Sequence, residues 1–230
     1  MTDAYNYAAF DARHFEPGDF KGPGIGARAP DFSASLLDGR QVTLADYLSS
    51  LTVLETGSIT CPIYQSRLKG MNHLAHEFPS IQFLVLYVRE AHPGDNICQH
   101  RSDADKQARA AELEQEFGET RTLLIDDLSG HAHALYGSMP NSVFIINGDR
   151  DIVFSSDWND VNATETALRR LQNGKSAQQV RSYFKPATPW IAREVFRHAG
   201  KGAARDSVRS LPTLLVHNVI LHNLKQLIRG

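Results

Sequence analysis

Cys61 is the residue best placed to do chemistry, because of what surrounds it in the chain. It follows an apolar run and the pair Gly57-Ser58, and it precedes Pro62, which suits a first helical turn. A cysteine at the start of a helix meets unpaired backbone N–H groups and the positive end of the helix dipole, and both favour a thiolate. We therefore expect Cys61 to be a nucleophile at neutral pH. The alternative is a small buried core residue, as free cysteines often are.

Four polar residues are candidates to assist this thiol. Ser58 and Thr60 carry hydroxyls that could donate to sulfur or relay a proton, or could serve only as turn and cap residues. Glu90 and His92 follow a nearly continuous apolar run, at the strand end where ligand crevices of open α/β sheets lie. A histidine beside a carboxylate there can act as a general acid or base near pH 7.

The other thiol and a histidine pair leave alternatives open. Cys98 could be a resolving cysteine or a simple loop thiol, and we expect it to alkylate more slowly than Cys61. His131 and His133 lie beside Asp126 and Asp127, but two-residue spacing does not put side chains on one face of a helix. No further ligand is apparent. We predict neither a metal site nor a bound cofactor.

The elements that position these residues alternate between strand and helix. A hairpin is predicted at residues 31–36 and 41–44, joined by the Asp38-Gly39 turn signal. Further strands are predicted at 51–56, 81–88, 122–125, 143–147 and 151–155, and helices at 62–78, 103–117, 131–136 and 162–172. This order predicts an α/β fold in which helices flank a thioredoxin-like central sheet.

The chain divides into three segments. Residues 1–27, rich in Gly, Pro and aromatics, are predicted to form a surface segment, residues 28–174 the thioredoxin-like domain, and residues 175–230 a helical C-terminal extension. The extension carries ten Lys or Arg and two Asp or Glu, a balance of +8, against −10 for the rest. It is expected to dock on its own acidic domain, on a partner or on an anionic surface. Its last helix, residues 211–228, is apolar over much of its surface, so burial is expected, against the sheet or in a homodimer.

Composition excludes several classes of protein. The chain has 230 residues, 42% hydrophobic and 22% charged, with a net charge of −2, which excludes a disordered, collagen-like or strongly nucleic-acid-binding protein. The longest apolar run, 81–88, is far shorter than the ~20 residues that cross a bilayer. The N-terminus lacks the pattern of a secretion signal, and two cysteines are too few for a disulfide scaffold. We expect a cytoplasmic protein without a transmembrane segment.

Two segments carry a family resemblance. Residues 57–62, Gly-Ser-Ile-Thr-Cys-Pro, resemble the active-site segment of iodothyronine deiodinases, with cysteine where animal members carry selenocysteine. Residues 83–95, a strand ending in Glu-Ala-His-Pro-Gly-Asp, are similar to a strand of that family. The resemblance covers roughly residues 28–172.

This resemblance implies a thioredoxin fold and reductive removal of iodide from an iodinated phenol by thiols. Cys61 would attack the iodine to give a sulfenyl iodide. The proton that replaces iodine on the ring would come from Glu90, His92 and Tyr87, together with Ser58 and Thr60. An external thiol, or Cys98, would regenerate the enzyme.

The chain also departs from the family pattern. Asn141-Ser142 stand where the family tends to have Glu-Arg, which removes an anchor for the carboxylate of a thyroid hormone. Sulfur in place of selenium implies a slower reaction or another electrophile. Residues 26–32 and 38–40 also resemble the opening of peroxiredoxins and related thiol-disulfide reductases, although Leu54 replaces the active-site proline of peroxiredoxins. A thiol peroxidase, a disulfide reductase and a non-catalytic scaffold acting through the basic helices are the alternatives.

Overall fold

The computed structural model describes residues 5–12 and 20–228, and a seven-stranded sheet runs through its centre. The strands are β1 (Ser33–Ser35), β2 (Gln41–Thr43), β3 (Leu51–Gly57), β4 (Gln82–Tyr87), β5 (Thr122–Ile125), β6 (Val143–Asn147) and β7 (Ile152–Ser156). They lie in the order β2-β1-β5-β4-β3-β6-β7. The central strands β3, β4 and β5 are parallel, and the outer strands pair antiparallel.

Helices connect these strands and follow the last of them. They are α1 (Pro62–Glu77), α2 (Asp103–Gln115), α3 (His131–Leu135), α4 (Val161–Gln172), α5 (Pro189–Ala199), α6 (Lys201–Leu214) and α7 (Asn223–Ile228). A short 3-10 helix covers Leu44–Tyr47, and a π-helical segment, Leu215–His222, joins α6 to α7. The strands and helices predicted for the domain are all present, most with bounds within two residues. The α/β fold with an N-terminal hairpin is confirmed.

The central strands are apolar along their length because both faces of the sheet are buried. Successive side chains point to opposite faces of a strand. Val53 and Phe83 pack with α1 and α4 on one face, whereas their neighbours Leu54 and Leu84 pack with α3 and the N-terminal hairpin on the other. This two-sided core fixes the register of the strands that carry the candidate site.

The parallel pairing of β3 with β4 brings the candidate residues together. Gly57 at the end of β3 is the register partner of Tyr87 at the end of β4. The chain after β3 leads to Cys61, and the chain after β4 leads to Glu90 and His92. The two segments therefore meet at the carboxyl edge of the sheet, where ligand crevices form in this class of fold.

The segment before the hairpin is described in part, since residues 1–4 and 13–19 of the predicted surface segment lie outside the described residues. Within the described part, the side chains of Tyr7 and Phe10 are buried. The hydroxyl of Tyr7 donates to the carbonyl of Ala91 at 2.8 Å. This part of the segment therefore packs against the chain that follows β4.

The C-terminal extension packs on its own domain. The backbone N–H groups of Asn96 and Ile97 donate to the carbonyl of Ala199 at 2.9 and 3.1 Å. Gly94 permits this approach, because a Cβ there would lie 2.4 Å from that carbonyl oxygen. The extension thus contacts the loop that follows His92, which places α5 and α6 next to the candidate site.

The last helical stretch is less buried than its sequence predicts. Side chains along it remain exposed, including Leu211 at 48%, Ile220 at 57% and Leu227 at 61%. A helix that is apolar on all sides can bury only the side that faces the domain, and nothing in the described chain covers the other side. Burial of this outer face against a second copy, the homodimer alternative, stays a prediction. None of the helices in the described ranges combines the length and apolarity needed to cross a membrane.

Candidate active site

Cys61 lies where β3 leads into α1. It is the N-cap residue of α1, and its Sγ accepts a hydrogen bond from the backbone N–H of Tyr64 at 3.5 Å. Pro62 occupies the first turn of the helix. The turn also requires Gly57, because a Cβ there would lie 2.2 Å from the ring of Tyr64. The structure thus has this thiol at a helix N-terminus, where the sequence predicts it.

The ionisation of Cys61 differs from the sequence prediction. Its side chain is 1% exposed, and burial raises the pKa of the thiol to about 12. The backbone N–H groups of Tyr64 and Ile63 lower this pKa, while the charges of Glu55 and Glu90 raise it further. The lowered pKa expected from the helix N-terminus is therefore wrong for this structure, since loss of water disfavours the thiolate more than the helix stabilises it.

A cavity of about 300 Å³ lies beside Cys61, between the domain and the C-terminal extension. This volume is at the small end of the ~300–1,000 Å³ typical of ligand pockets. Side chains from α5, α6 and the π-helical segment line it, together with Cys61 and His92 of the domain. The lining is rich in aromatic side chains: Phe10, Phe20, Trp158, Phe184 and Phe196. The extension thus covers one side of a small, largely apolar cavity beside the thiol, which remains partly open to solvent.

His92 is the predicted acid–base residue that lines this cavity. Its ring packs against Phe10 and Phe196, with centroid distances of 4.0 and 5.3 Å. Its Nδ1 lies 2.8 Å from Oγ of Ser207, which also lies 2.8 Å from the carbonyl oxygen of Ala203. A carbonyl only accepts, so the single hydroxyl hydrogen of Ser207 goes to Ala203. The hydrogen between His92 and Ser207 is therefore carried by Nδ1 of His92.

This tautomer leaves a lone pair on Nε2 of His92. Within the described parts of the chain, hydrogen bonding of this ring is confined to Nδ1. Burial lowers the pKa of His92 to about 3, so the ring is neutral at pH 7. Apolar side chains surround the ring and keep it in the neutral form, and the predicted role as a general acid or base stays a prediction. A neutral imidazole with a free lone pair can still accept a proton from a nearby acid.

Glu90 is the centre of a separate buried cluster. Its Oε2 accepts hydrogen bonds from the backbone N–H and the hydroxyl of Thr60 at 3.1 and 2.5 Å, and its Oε1 accepts one from the hydroxyl of Tyr87 at 2.5 Å. Burial acts to raise the pKa of Glu90, but His100 and these donors outweigh it, so the net shift is downward. Glu90 is thus a buried hydrogen-bond acceptor. Neither Glu90 nor Tyr87 is among the described residues that line the cavity.

His100 and Gln99 complete the Glu90 cluster, and sequence reasoning missed both. His100 Nε2 lies 3.3 Å from Glu90 Oε1, a close electrostatic contact whose angle does not meet hydrogen-bond geometry. Gln99 Oε1 accepts from the backbone N–H of Glu90 at 2.8 Å. Both residues lie in a loop without periodicity, so no pattern in the sequence marks them.

The two hydroxyls that flank Cys61 bind backbone groups of the chain after β4. Ser58 Oγ accepts from the N–H of Ala91, and Thr60 Oγ1 accepts from the N–H of His92, each at 3.1 Å. These bonds join the turn before Cys61 to the segment that carries His92. In this arrangement, Ser58 and Thr60 fix the relative position of the two segments.

A second charged cluster lies beneath α1, and sequence reasoning missed it as well. Arg121 donates to Glu55 at 2.5 Å and to Glu119 at 2.7 Å, and all three side chains are buried. Tyr64 donates a hydrogen bond to Glu119. Asn141, one of the residues that depart from the family pattern, donates to Glu55 at 2.7 Å. A charged residue inside the apolar run of β3 was the signal that could have revealed this cluster.

The two cysteines occupy different environments. Cys61 is buried and Cys98 is exposed, and both are free thiols. Exposure alone favours reaction of Cys98, whereas Cys61 can be reached only through the cavity that it lines, so the faster alkylation of Cys61 stays a prediction.

His133 is bonded at both ring nitrogens. Its Nδ1 accepts from the hydroxyl of Tyr5 at 3.0 Å, and its Nε2 donates to the carbonyl of Met139 at 2.8 Å. The ring is buried, whereas that of its neighbour His131 lies at the surface. Across residues 5–12 and 20–228, no group of three or more His, Cys, Asp or Glu is arranged to hold a metal ion.

The fold resembles that of solved structures of low sequence identity. An uncharacterized conserved protein from Geobacillus kaustophilus matches with a TM-score of 0.56 at 21% identity, covering 74% of this chain and 90% of that chain. Peroxidoxin BcpB from Mycobacterium tuberculosis matches with a TM-score of 0.51 at 19% identity, covering 67% of this chain and 99% of that chain. These similarities support the thioredoxin-like fold.

Sequence comparison identifies more specific relatives. Thyroxine 5-deiodinase of Gallus gallus is 29% identical over 144 residues, which cover 57% of this chain and 55% of the relative. Type I iodothyronine deiodinase of Xenopus laevis is 33% identical over 133 residues, which cover 53% and 52%. The chain thus spans about half the length of these curated relatives. The sequence model of iodothyronine deiodinase matches residues 13–171, which include Cys61 and His92. The chain therefore belongs to the iodothyronine deiodinase family.

Proposed function

We propose that the protein is a thiol-dependent oxidoreductase that removes iodide reductively from an iodinated phenol, with Cys61 as the nucleophile. The observation that carries the proposal is that Cys61 and His92 line one aromatic-rich cavity in a member of the deiodinase family. An aromatic ligand suits a lining of this kind.

In the proposed reaction, the sulfur of Cys61 attacks the iodine atom of the substrate. The S–I bond forms as the C–I bond breaks, and the electron pair of the C–I bond remains on the ring carbon. The thiol proton of Cys61 passes through Nε2 of His92 to that carbon. The products are the deiodinated phenol and a sulfenyl iodide on Cys61, so the substrate is reduced and the sulfur is oxidised.

An external thiol then restores the enzyme. A first thiol attacks the sulfur of Cys61, releasing iodide and a proton and forming a mixed disulfide. A second thiol reduces this disulfide, which regenerates Cys61 and yields an oxidised disulfide product.

The raised pKa of Cys61 constrains how the proton moves. Transfer from Cys61 to a neutral His92 is unfavourable before the substrate reacts, because burial disfavours both the thiolate and the imidazolium. We therefore propose that proton transfer accompanies cleavage of the C–I bond. The Glu90 cluster, with Thr60 and Tyr87, is assigned a positioning role, because Thr60 connects it to the backbone of His92.

Iodide release from 2,6-diiodophenol by the dithiothreitol-reduced protein tests this proposal. Cys61→Ser should reduce the rate by roughly a thousandfold or more, as expected for loss of a nucleophile. Cys98→Ser is the matched control and should stay within about twofold of the wild type. Cys61-dependent peroxide consumption without iodide release would contradict the proposal in favour of a thiol peroxidase.

A further inference from the structure

The charge of the cavity wall restricts which phenols can enter it. Asp157, in the segment after β7, lines the cavity, and its Oδ2 lies 3.2 Å from Nδ1 of His222. Asp157 is the one acidic side chain among the described residues that line the cavity. The pair therefore supplies no net positive charge to a ligand carboxylate.

The rest of the described wall offers no permanent cation to balance a ligand carboxylate. Neither Lys nor Arg is among the described residues that line the cavity, and most of its surface is aromatic or aliphatic. A carboxylate that entered would lose its hydration without gaining an opposite charge, and this is costly in an apolar site. Asp157 would also repel it. An ammonium group would instead be attracted to Asp157.

The size of the cavity favours a compact ligand. Its volume of about 300 Å³ is lined by bulky side chains such as Trp158 and Phe184, which contact each other with ring centroids 5.0 Å apart. A single substituted ring suits this space better than an extended ligand.

We propose that the substrate is a compact iodinated phenol whose side chain is uncharged or cationic, and that Asp157 excludes phenols carrying a carboxylate. This inference rests on the proposed function, since the reacting ring must reach Cys61. It assigns Asp157 a role in specificity and none in the chemical step.

A matched pair of probes tests this proposal. 3,5-Diiodotyramine and 3,5-diiodotyrosine share the same ring and ammonium group and differ by one carboxylate. We expect kcat/KM for iodide release to be at least tenfold higher with diiodotyramine. Equal values, or a preference for diiodotyrosine, would overturn the proposal while leaving the proposed reaction intact.

A charge-neutralising variant tests the role of Asp157. Asp157→Asn should reduce the preference for diiodotyramine by about tenfold or more, because it removes the repulsion. Asp149→Asn is the control, because it makes the same charge change at an exposed residue in the turn between β6 and β7 that does not line the cavity. An unchanged preference in Asp157→Asn, or an equal loss in Asp149→Asn, would contradict the assignment.

A binding measurement separates failure of the specificity assignment from failure of the proposed reaction. Calorimetric titration of Cys61→Ser with both probes requires no turnover, and we expect at least tenfold tighter binding of diiodotyramine. If this preference is observed without iodide release from the wild type, the specificity assignment is supported and the proposed deiodination is contradicted. If neither probe binds, the assignment fails.

Discussion

His92 and His133 have similar pKa values, about 3, and differ in what their ring nitrogens contact. His133 is bonded at both nitrogens, to Tyr5 and to a backbone carbonyl. His92 is bonded at Nδ1 to Ser207, and its ring lines the cavity beside Cys61. Burial makes both rings neutral, so the pKa alone does not distinguish their roles.

The difference between the two regions lies in hydrogen-bonding capacity. A ring with both nitrogens occupied connects parts of the fold, and a neutral histidine of this kind contributes to stability. A ring with one lone pair directed to no described partner keeps capacity for a substrate or a proton. The comparison thus predicts a catalytic role for His92 and a structural role for His133.

The largest expected effect follows from His92→Gln. Removal of the proton-transfer group should reduce kcat for iodide release by about 10²–10⁴-fold, while the free energy of unfolding changes by about 1 kcal/mol or less. Saturating substrate and a urea titration give the two values. His131→Gln, at an exposed histidine, is the control and should behave as wild type. A wild-type kcat in His92→Gln would contradict the catalytic role assigned to His92.

His133→Gln should have the opposite pattern. Loss of two buried hydrogen bonds should lower the free energy of unfolding by about 2–4 kcal/mol, while kcat per folded molecule stays within about twofold. Urea denaturation and iodide release again provide the measurements. A large loss of kcat at unchanged stability would show that the two histidines have been assigned the wrong way round.

The pH dependence of stability sharpens the comparison further. Burial lowers the pKa of His133 to about 3 in the folded chain, whereas the ordinary pKa of histidine is about 6.5. Between pH 6.5 and pH 3, His133 therefore binds a proton in the unfolded chain but not in the folded one. The folded state is therefore most stable relative to this proton binding above pH 6.5. Its free energy of unfolding falls as the pH is lowered below that value, by up to about 1.4 kcal/mol per pH unit. His133→Gln should therefore show a shallower fall in unfolding free energy than the wild type. Parallel curves would contradict the assigned pKa.

The smallest expected effect comes from Ser207→Ala. Loss of the acceptor for Nδ1 frees the His92 ring to change tautomer, and we expect kcat to fall by about three- to tenfold, with recovery in Ser207→Thr. Ser210→Ala, which removes a hydroxyl one turn later on the same helix, is the matched control for packing. Equal losses in the two alanine variants would indicate a structural role for Ser207.

The sequence predicts the fold and the position of the nucleophile because both depend on local patterns. The apolar run 143–147 coincides with β6, and Pro62 correctly marks the first turn of α1. The parallel order of strands also predicts that Cys61 and His92 meet at one edge of the sheet.

The environment of the site could not be predicted, because distant parts of the chain create it. Ser207 and Asp157 reach the cavity from segments far from Cys61 in sequence, and no local pattern marks them. Cys61 is buried in a core cluster with side chains of β4, β5 and α1, and this burial reverses the expected pKa of the thiol. The position of Cys61 at a helix N-terminus can be predicted from the local sequence and lowers the pKa of the thiol. The burial of Cys61 raises that pKa, and burial depends on the whole fold.

Nitrogen-15 NMR of the imidazole rings tests the comparison most directly. At pH 7 we predict two neutral rings of opposite tautomer, with hydrogen on Nδ1 of His92 and on Nε2 of His133. Addition of 3,5-diiodotyramine to Cys61→Ser should shift the Nε2 resonance of His92 and leave His133 unchanged. A protonated His92, hydrogen on its Nε2, or equal shifts in both rings would contradict the account.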